Sequence, residues 1–135
     1  MKLEHIGIAV NDLGVSNELF AKLLGKENYK IEKVKSEGVR TSFFDVGESK
    51  IELLEAEEGQ NAISGFLKKR GEGIHHLAFE VEDIRYEMKR LAGLGFELIH
   101  EEPKQGADNK LICFLHPKTT NGVLIELCQD ISEVE

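Results

Sequence analysis

The chain has 135 residues, of which 41% are hydrophobic and 31% are charged, and its formal net charge is −8. This size and composition predict one soluble globular domain with a hydrophobic core, and the negative charge argues against nonspecific nucleic-acid binding. No apolar run approaches the roughly 20 residues of a membrane-spanning helix, and no signal-peptide pattern precedes the first predicted strand. We therefore expect a cytoplasmic protein in which Cys113 and Cys128 are reduced thiols.

Hydrophobic periodicity in the first half predicts the order strand, helix, strand, strand, strand. Alternating apolar residues indicate the strands, and apolar residues three and four positions apart indicate the helix, which is expected to end at Gly25. The predicted helix runs from about Val15 to Leu24. The predicted strands are 3–10, 28–36, 39–46 and 50–55.

The second half repeats this order after a connector over residues 57–73. The connector contains a short predicted helix from Ala62 to Arg70. The predicted helix of the second half runs from about Ile84 to Leu94. The predicted strands of the second half are 76–81, 96–101, 111–115 and 122–128, with a polar loop over 103–109.

One short phrase occurs twice in the chain, once in each half. The segment from His5 to Leu13 returns as the segment from His76 to Ile84. Both copies begin with His, alternate like a half-buried strand, and carry an Asp immediately before a helical pattern. A repeat of this kind indicates a duplicated supersecondary unit.

The duplication predicts the fold class and the domain organisation. The predicted class is α+β, with a helix and four strands in each half. We expect a single domain over 1–135, built from two tandem βαβββ modules at about 1–56 and about 74–130.

Each module presents one His and one Glu on comparable strand faces. His5 and His76 open the first strand of their modules, on the face opposite the large apolar residues. Glu52 and Glu126 lie in the last strand of their modules, flanked by apolar residues. A buried carboxylate is costly unless it is paired or bound to a metal. Two imidazoles and two carboxylates suit a divalent ion such as cobalt, zinc, manganese, nickel or iron(II).

Each of these residues also has a purely structural interpretation. A single His at the start of a strand is more often a polar edge residue, and Glu52 alone could lie on a solvated sheet face. Equivalence under the repeat is the observation that favours a metal site. His75 is predicted to point to the opposite face, and His100 and His116 have no counterpart in the repeat. Cys128 is interpreted as a small apolar residue that fills space.

Most of the chain resembles the vicinal oxygen chelate superfamily. This superfamily includes glyoxalase I, methylmalonyl-CoA epimerase, extradiol dioxygenases, and resistance proteins of the bleomycin and fosfomycin type. Within it, the chain is most similar to the methylmalonyl-CoA epimerases. The segments that carry the resemblance are His5-Ile6-Gly7-Ile8-Ala9-Val10, Lys50-Ile51-Glu52-Leu53-Leu54, His75-His76-Leu77-Ala78-Phe79-Glu80-Val81, Glu102-Pro103-Lys104-Gln105-Gly106-Ala107, Phe114-Leu115-His116-Pro117-Lys118 and Gly122-Val123-Leu124-Ile125-Glu126-Leu127.

The resemblance implies a curved mixed sheet around one divalent metal ion per chain, with cobalt preferred over zinc, manganese and nickel. It implies that His5, His76 and Glu126 hold the ion and that Glu52 completes the set. Dimerisation is common in this superfamily, so a homodimer is expected. At least one bacterial member has a second catalytic Glu on the strand before the one that carries Glu52. The matching position is near Thr41 here, and threonine cannot act as a carboxylate base.

The implied activity is epimerisation of methylmalonyl-CoA, a step of propionate metabolism. The proton on the carbon between the thioester and the carboxylate would be removed and returned. We predict that Glu126 and Glu52 are the two bases, one on each side of the planar intermediate.

Substrate contacts are predicted from residue size and charge. The small residues Gly7, Ala9 and Ala78 would leave room for the acyl group. A chain with a net charge of −8 needs local positive charge to bind the phosphates of CoA. Lys118 is the first candidate for this contact, followed by Lys104 and Lys110.

Two other functions compete with this prediction. A glyoxalase I-type lactoylglutathione lyase would use similar metal and proton-transfer chemistry on a glutathione hemithioacetal, and a substrate assay discriminates it. A non-catalytic, drug-binding member of the superfamily would lack the full set of His and Glu ligands, so bound metal in the purified protein discriminates it.

Overall fold

A computed structural model describes residues 1–59 and 61–131 of the chain. The chain divides into two units by the density of its internal contacts. The first unit is His5–His75, and the second unit combines Met1–Glu4 with the chain from His76 onward.

The first unit contains a mixed sheet with the strand order β2-β3-β4-β1. Its first and last strands, β1 and β4, are parallel, and the other neighbouring pairs are antiparallel. Its elements are β1 (Lys2–Ala9, in this unit from His5), α1 (Leu13–Leu24), β2 (Lys30–Val34), β3 (Val39–Asp45), β4 (Lys50–Ala56) and α2 (Ala62–Arg70).

The second unit contains a sheet with the strand order β5-β8-β7-β6. Here β5 and β8 are parallel, whereas the pairs β8–β7 and β7–β6 are antiparallel. Its elements are β5 (Gly73–Glu80, in this unit from His76), α3 (Ile84–Gly93), β6 (Lys104–Gln105), β7 (Lys110–Leu115), a 3-10 helix (Pro117–Thr119) and β8 (Ile125–Asp130).

The repeated phrase forms a strand followed by a capped helix in both units. Asp12 precedes α1, and its carboxylate accepts a hydrogen bond from the backbone N–H of Val15 at 3.1 Å. Asp83 precedes α3 and accepts from the N–H of Tyr86, also at 3.1 Å. A side-chain oxygen at this position satisfies one of the N–H groups that a helix start leaves without a partner. The Asp near the end of each phrase is therefore a helix N-cap.

Each helix packs on one face of its sheet over equivalent apolar residues. The core of the first unit is formed by Val10, Leu13, Phe44 and Leu53. The equivalent residues of the second unit are Val81, Ile84, Leu115 and Leu127, and Met88, Leu91 and Cys113 join them. Because side chains alternate along a strand, the His and Glu residues lie on the opposite face of each sheet.

The predicted order of elements is confirmed in both halves, and one predicted strand is wrong. Residues 96–101 do not form a named strand; their described pairing is a single bridge between Leu98 and Leu115. The sheet edge is instead β6, within the predicted polar loop. Phe96 and Leu98 alternate because they pack on the core of the second unit, and this burial does not require a full ladder of backbone hydrogen bonds. The last strand begins at Ile125, later than predicted.

The structure also addresses two expectations drawn from composition. Cys113 and Cys128 are buried free thiols. Within the described residues, no helix combines the length and the apolar character needed to cross a membrane.

Candidate functional site

The first unit buries a His–Glu pair between its parallel strands. Gly7 of β1 is in register with Glu52 of β4, so His5 and Glu52 are diagonal neighbours on the same face. His5 Nδ1 lies 3.0 Å from Glu52 Oε2. Both residues are only 4% exposed. Gly7 has no side chain, so the carboxylate of Glu52 can extend past it towards His5.

The second unit builds the same pair in the same register. Ala78 of β5, the counterpart of Gly7, is in register with Glu126 of β8. His76 Nε2 lies 3.2 Å from Glu126 Oε1. His76 is 5% exposed, Glu126 is 6% exposed, and Ala78 is fully buried. The small residue again keeps the diagonal contact between His and Glu open.

The donor atoms of each pair fit a divalent metal ion. Metal–nitrogen and metal–oxygen bonds of roughly 2.0–2.2 Å, at about a right angle, separate two neighbouring ligand atoms by about 3 Å. The observed separations of 3.0 Å and 3.2 Å agree with this spacing. Without an ion, the same spacing suits a hydrogen bond between imidazole and carboxylate. Each pair therefore offers one nitrogen and one oxygen that either bind each other or share an ion.

A phenylalanine lies opposite each Glu on the next strand. Phe43 of β3 is in register with Glu52, and Phe114 of β7 is in register with Glu126. Neither residue is among the site residues predicted from the sequence. The interval between them along the chain equals the interval between the two His residues, so the repeat contained the signal that would have found them.

Thr41, near which the resemblance implies a catalytic Glu in at least one bacterial member, is buried in the first unit. Thr41 is 1% exposed and lies on β3, two positions before Phe43 and on the same face. Its register partners are Glu32 of β2 and Leu54 of β4. A threonine here supplies a hydroxyl and no carboxylate, so the carboxylate that this unit places against His5 is that of Glu52.

The three candidate lysines for CoA differ in exposure. Lys110 is only 6% exposed, which removes it as a contact for a phosphate arriving from solvent. Lys104 is half-buried. The side chain of Lys118 is 63% exposed, and its Nζ lies 2.7 Å from Glu97 Oε1. This hydrogen bond lowers the pKa of Glu97, so the carboxylate is charged and balances Lys118.

The remaining three histidines make ring contacts or cap a helix. The ring of His75 lies edge-on to Phe66, with 5.1 Å between ring centroids. His116 caps the 3-10 helix, where its Nδ1 accepts a hydrogen bond from the N–H of Lys118 at 3.1 Å. His100 lies against Phe114, with 6.3 Å between ring centroids. The structural interpretation of His75 agrees with this packing.

The buried cysteines do not form reactive thiolates. Burial raises the pKa of the Cys113 thiol to about 11, against a smaller lowering by a backbone hydrogen bond from His100. Burial also raises the pKa of Cys128, and the nearby negative charge of Glu126 acts in the same direction. Since the thiolate is the nucleophile and the metal ligand, neither cysteine is prepared for those roles at neutral pH.

Known proteins are similar to this chain over most of its length. Residues 4–114 match the model of the Glyoxalase/Bleomycin resistance protein/Dioxygenase superfamily. The ethylmalonyl-CoA/methylmalonyl-CoA epimerase of Cereibacter sphaeroides is 40% identical over 130 residues, which cover 95% of this chain and 97% of that protein.

Solved structures are similar over almost the full length. The methylmalonyl-CoA epimerase of Mycobacterium tuberculosis superimposes with a TM-score of 0.93 at 36% identity, covering 98% of this chain and 90% of that one. A variant of the Streptomyces coelicolor methylmalonyl-CoA epimerase, in complex with 2-nitronate-propionyl-CoA, also gives a TM-score of 0.93, at 33% identity, covering 97% of this chain and 98% of that one. The predicted fold class is thereby confirmed, and the chain belongs to the Glyoxalase/Bleomycin resistance protein/Dioxygenase superfamily, whose members share the vicinal oxygen chelate fold.

Proposed function

We propose that this chain is a metal-dependent methylmalonyl-CoA epimerase that interconverts the R and S forms of its substrate. The observation that carries the proposal is the duplicated, buried His–Glu pair, built in the same strand register in both units. Relatives and structural neighbours that cover nearly the whole chain are methylmalonyl-CoA epimerases. One of these neighbours holds 2-nitronate-propionyl-CoA, which supports an acyl-CoA as the substrate class.

We assign one divalent ion to His5, Glu52, His76 and Glu126 together. Equivalence under the repeat supports this assignment, and so does the donor chemistry, because two imidazoles and two carboxylates suit cobalt, zinc, manganese or nickel. Among these metals, we propose cobalt as the native ion. When bound, the ion would act as a Lewis acid and stabilise the negative charge that develops on the thioester oxygen.

The chain's own carboxylates move the proton. Glu126, which would loosen from the ion when substrate binds, and Glu52 act on opposite sides of the carbon between the thioester and the carboxylate. One removes the proton and the other returns a proton to the opposite side, which inverts the centre. Thr41 has no carboxylate and cannot replace either base. Their burial keeps bulk water from competing for the proton.

The surroundings of the pairs set the substrate contacts. Ala9 and Ala78 are fully buried and small, and with Gly7 they leave room for the methylmalonyl group. We assign Lys118 to the CoA phosphates, since its ammonium is exposed on the turn before β8. It would exchange Glu97 for a phosphate, because a doubly charged anion competes well for one ammonium group.

The assembly and the cellular context are part of the proposal. We propose a homodimer that acts in propionate metabolism in the cytoplasm, in line with the frequency of dimers in this superfamily. Sedimentation equilibrium of the purified chain measures the assembly. A monomer at all accessible concentrations would contradict it.

The test of the function is deuterium incorporation into methylmalonyl-CoA in heavy water. We expect rapid incorporation by the cobalt-loaded protein and its loss after treatment with a chelator, with recovery when cobalt is restored. Isomerisation of the methylglyoxal–glutathione hemithioacetal, without exchange on methylmalonyl-CoA, would overturn the proposal in favour of a lyase. Neither reaction in a protein that retains no metal would favour a drug-binding role.

A further inference from the structure

The ring of Phe114 lies against the histidine of the second His–Glu pair. The centroids of the Phe114 and His76 rings are 5.9 Å apart, and their planes are nearly perpendicular at 89°. This is the edge-to-face arrangement that aromatic rings favour. Phe114 is also in register with Glu126, so one residue adjoins both members of the pair.

Phe114 also contacts the segment before β6. The ring of His100 lies 6.3 Å from that of Phe114, at an angle of 66°. The backbone of the same segment is attached to β7, because the N–H of Ile99 donates to the carbonyl of Phe114 at 2.8 Å. The ring therefore contacts two imidazoles, and the carbonyl of Phe114 is held by a hydrogen bond from the segment before β6.

The equivalent phenylalanine of the first unit, Phe43, makes different ring contacts. Phe43 lies opposite Glu52 in the same register, and it is fully buried. Its ring packs against Tyr29, with 5.8 Å between centroids, and beneath the ammonium of Lys30 at 4.7 Å. These contacts direct Phe43 towards β2, whereas the contacts of Phe114 direct it towards His76.

We propose that Phe114 is a positioning residue for His76. Its ring restricts rotation of the imidazole, so that Nε2 stays directed at the carboxylate of Glu126. The inference rests on the proposed function to the extent that His76 and Glu126 are metal ligands. Residues that orient a ligand histidine are commonly worth a factor of about 10–100 in metal affinity.

The first measurement is cobalt affinity of the full-length protein. We expect Phe114→Leu to weaken cobalt binding by about tenfold, the lower end of the range for orienting residues. We expect Phe114→Tyr, which retains the ring, to restore the wild-type affinity. Phe43→Leu is the matched control and should weaken binding by a smaller factor. The visible absorption of bound cobalt reports the coordination geometry, and it should change in Phe114→Leu and remain as in the wild type in Phe114→Tyr.

Two results would overturn the inference. One is an unchanged cobalt affinity and spectrum in Phe114→Leu. The other is an equal loss in Phe43→Leu, which would show that any phenylalanine opposite a Glu has the same effect. If Phe114→Leu fails to fold, Phe114→Met provides a second variant that lacks the ring but keeps similar volume, and the same two results apply to it.

A metal-free measurement separates this inference from the proposed function. In the metal-free protein, the N–H of His76 that faces Glu126 should exchange slowly with solvent in nuclear magnetic resonance spectra. We expect faster exchange in Phe114→Leu and wild-type exchange in Phe114→Tyr. If methylmalonyl-CoA is not a substrate but this difference is observed, the function fails and the positioning role stands. If the enzyme is active and exchange is the same in all three proteins, the positioning role fails alone.

Discussion

The two units share the hydrogen bonds that connect the first strand, the helix and the last strand. The N–H that follows each first strand donates to a carbonyl of the last strand at 2.9 Å, and the first N–H of each helix donates to a side-chain oxygen of the last strand at 2.8 Å. The bonds are Val10 to Leu54, Val81 to Cys128, Leu13 to Glu55 and Ile84 to Gln129. The shared frame places the Glu of each last strand beside the His of its first strand.

The units differ where the helix packs on the middle of the sheet. In the first unit, the hydroxyl of Ser42 donates to Oδ1 of Asn17 at 2.6 Å. Their counterparts under the repeat, Cys113 and Met88, belong to the apolar core of the second unit. A polar pair in one unit and an apolar pair in the other thus occupy equivalent positions between helix and sheet. The two units therefore share their backbone hydrogen bonds more closely than the side chains of their cores.

The two His–Glu pairs also differ in the nitrogen that faces the carboxylate. His5 presents Nδ1 and His76 presents Nε2. The two nitrogens are chemically distinct, and the contact of one determines which remains available for other partners. Phe114 borders His76, whereas the ring contacts of Phe43 run to Tyr29 and Lys30. The units therefore offer the same donor set in two orientations.

The largest expected effect is the loss of a base from either unit. Glu126→Gln and Glu52→Gln should each lower kcat by about 10²–10⁴-fold, because each removes one proton-transfer group. If the bases act on opposite sides, each variant should still exchange the proton of one epimer without inverting it, and the retained epimer should differ between the two. Deuterium incorporation from each pure epimer measures this. Near-normal turnover by metal-loaded Glu52→Gln would remove Glu52 from the mechanism.

The second effect concerns the hydrogen-bonded pair of Ser42 and Asn17 in the first unit, which corresponds to an apolar pair in the second. Ser42→Ala leaves Oδ1 of Asn17 without its donor and should lower the free energy of unfolding by about 1–3 kcal/mol. Replacing both residues by their counterparts, Asn17→Met with Ser42→Cys, should recover most of this loss. Urea denaturation measures both. A double variant less stable than Ser42→Ala would show that the two interiors are not interchangeable.

The third effect is a dependence of stability on alkaline pH that resides in the second unit. The pKa of Cys113 rises from an ordinary value of 9.0 to about 11 in the folded protein. Between these values the unfolded thiol loses its proton while the folded one retains it, so stability falls as pH rises through this window. The slope should be smaller in Cys113→Ala, because alanine has no thiol to titrate. Equal slopes in the two proteins would contradict this attribution.

A smaller effect is expected from exchanging the charge at the two helix starts. Glu55→Gln removes a negative charge from the start of α1 and should lower the free energy of unfolding by about 0.3–1 kcal/mol. Glu55 also lies 3.3 Å from Arg40, which adds to the loss. The reverse change, Gln129→Glu, should stabilise α3 by a similar or smaller amount. Denaturation at low and high salt should show both effects shrinking as salt rises, and a salt-independent change would exclude an electrostatic cause.

The smallest effect concerns the turns before β4 and β8. The turn in the second unit carries Lys118, whereas the turn over 47–49 in the first unit has no basic residue. Lys118→Ala should raise KM for methylmalonyl-CoA several-fold and leave kcat unchanged. Glu97→Gln should lower KM, because it releases the ammonium of Lys118. Steady-state kinetics at low salt measures both, and no change in KM in either variant would exclude Lys118 as a phosphate contact.

Periodicity and the repeat were sufficient to predict the face on which each candidate ligand lies. The alternation in β1 and β5 separated His5 and His76 from the apolar core, and the position of Glu52 and Glu126 in the last strand of each half made them equivalent. Strand alternation is a local property, since neighbouring side chains point to opposite faces whatever the strand pairs with. The same reasoning was wrong for 96–101, because alternation reports burial and not backbone pairing.

Only the tertiary structure decided the contacts between residues far apart in the chain. The parallel register of β1 with β4 and of β5 with β8 determined that Gly7 and Ala78 lie beside the carboxylates. It also determined which imidazole nitrogen faces each Glu and which phenylalanine borders a histidine. A shift of register by one residue would turn a whole strand over. The register of these parallel pairs is set by packing between strands that are distant in sequence, so no short stretch of sequence encodes it.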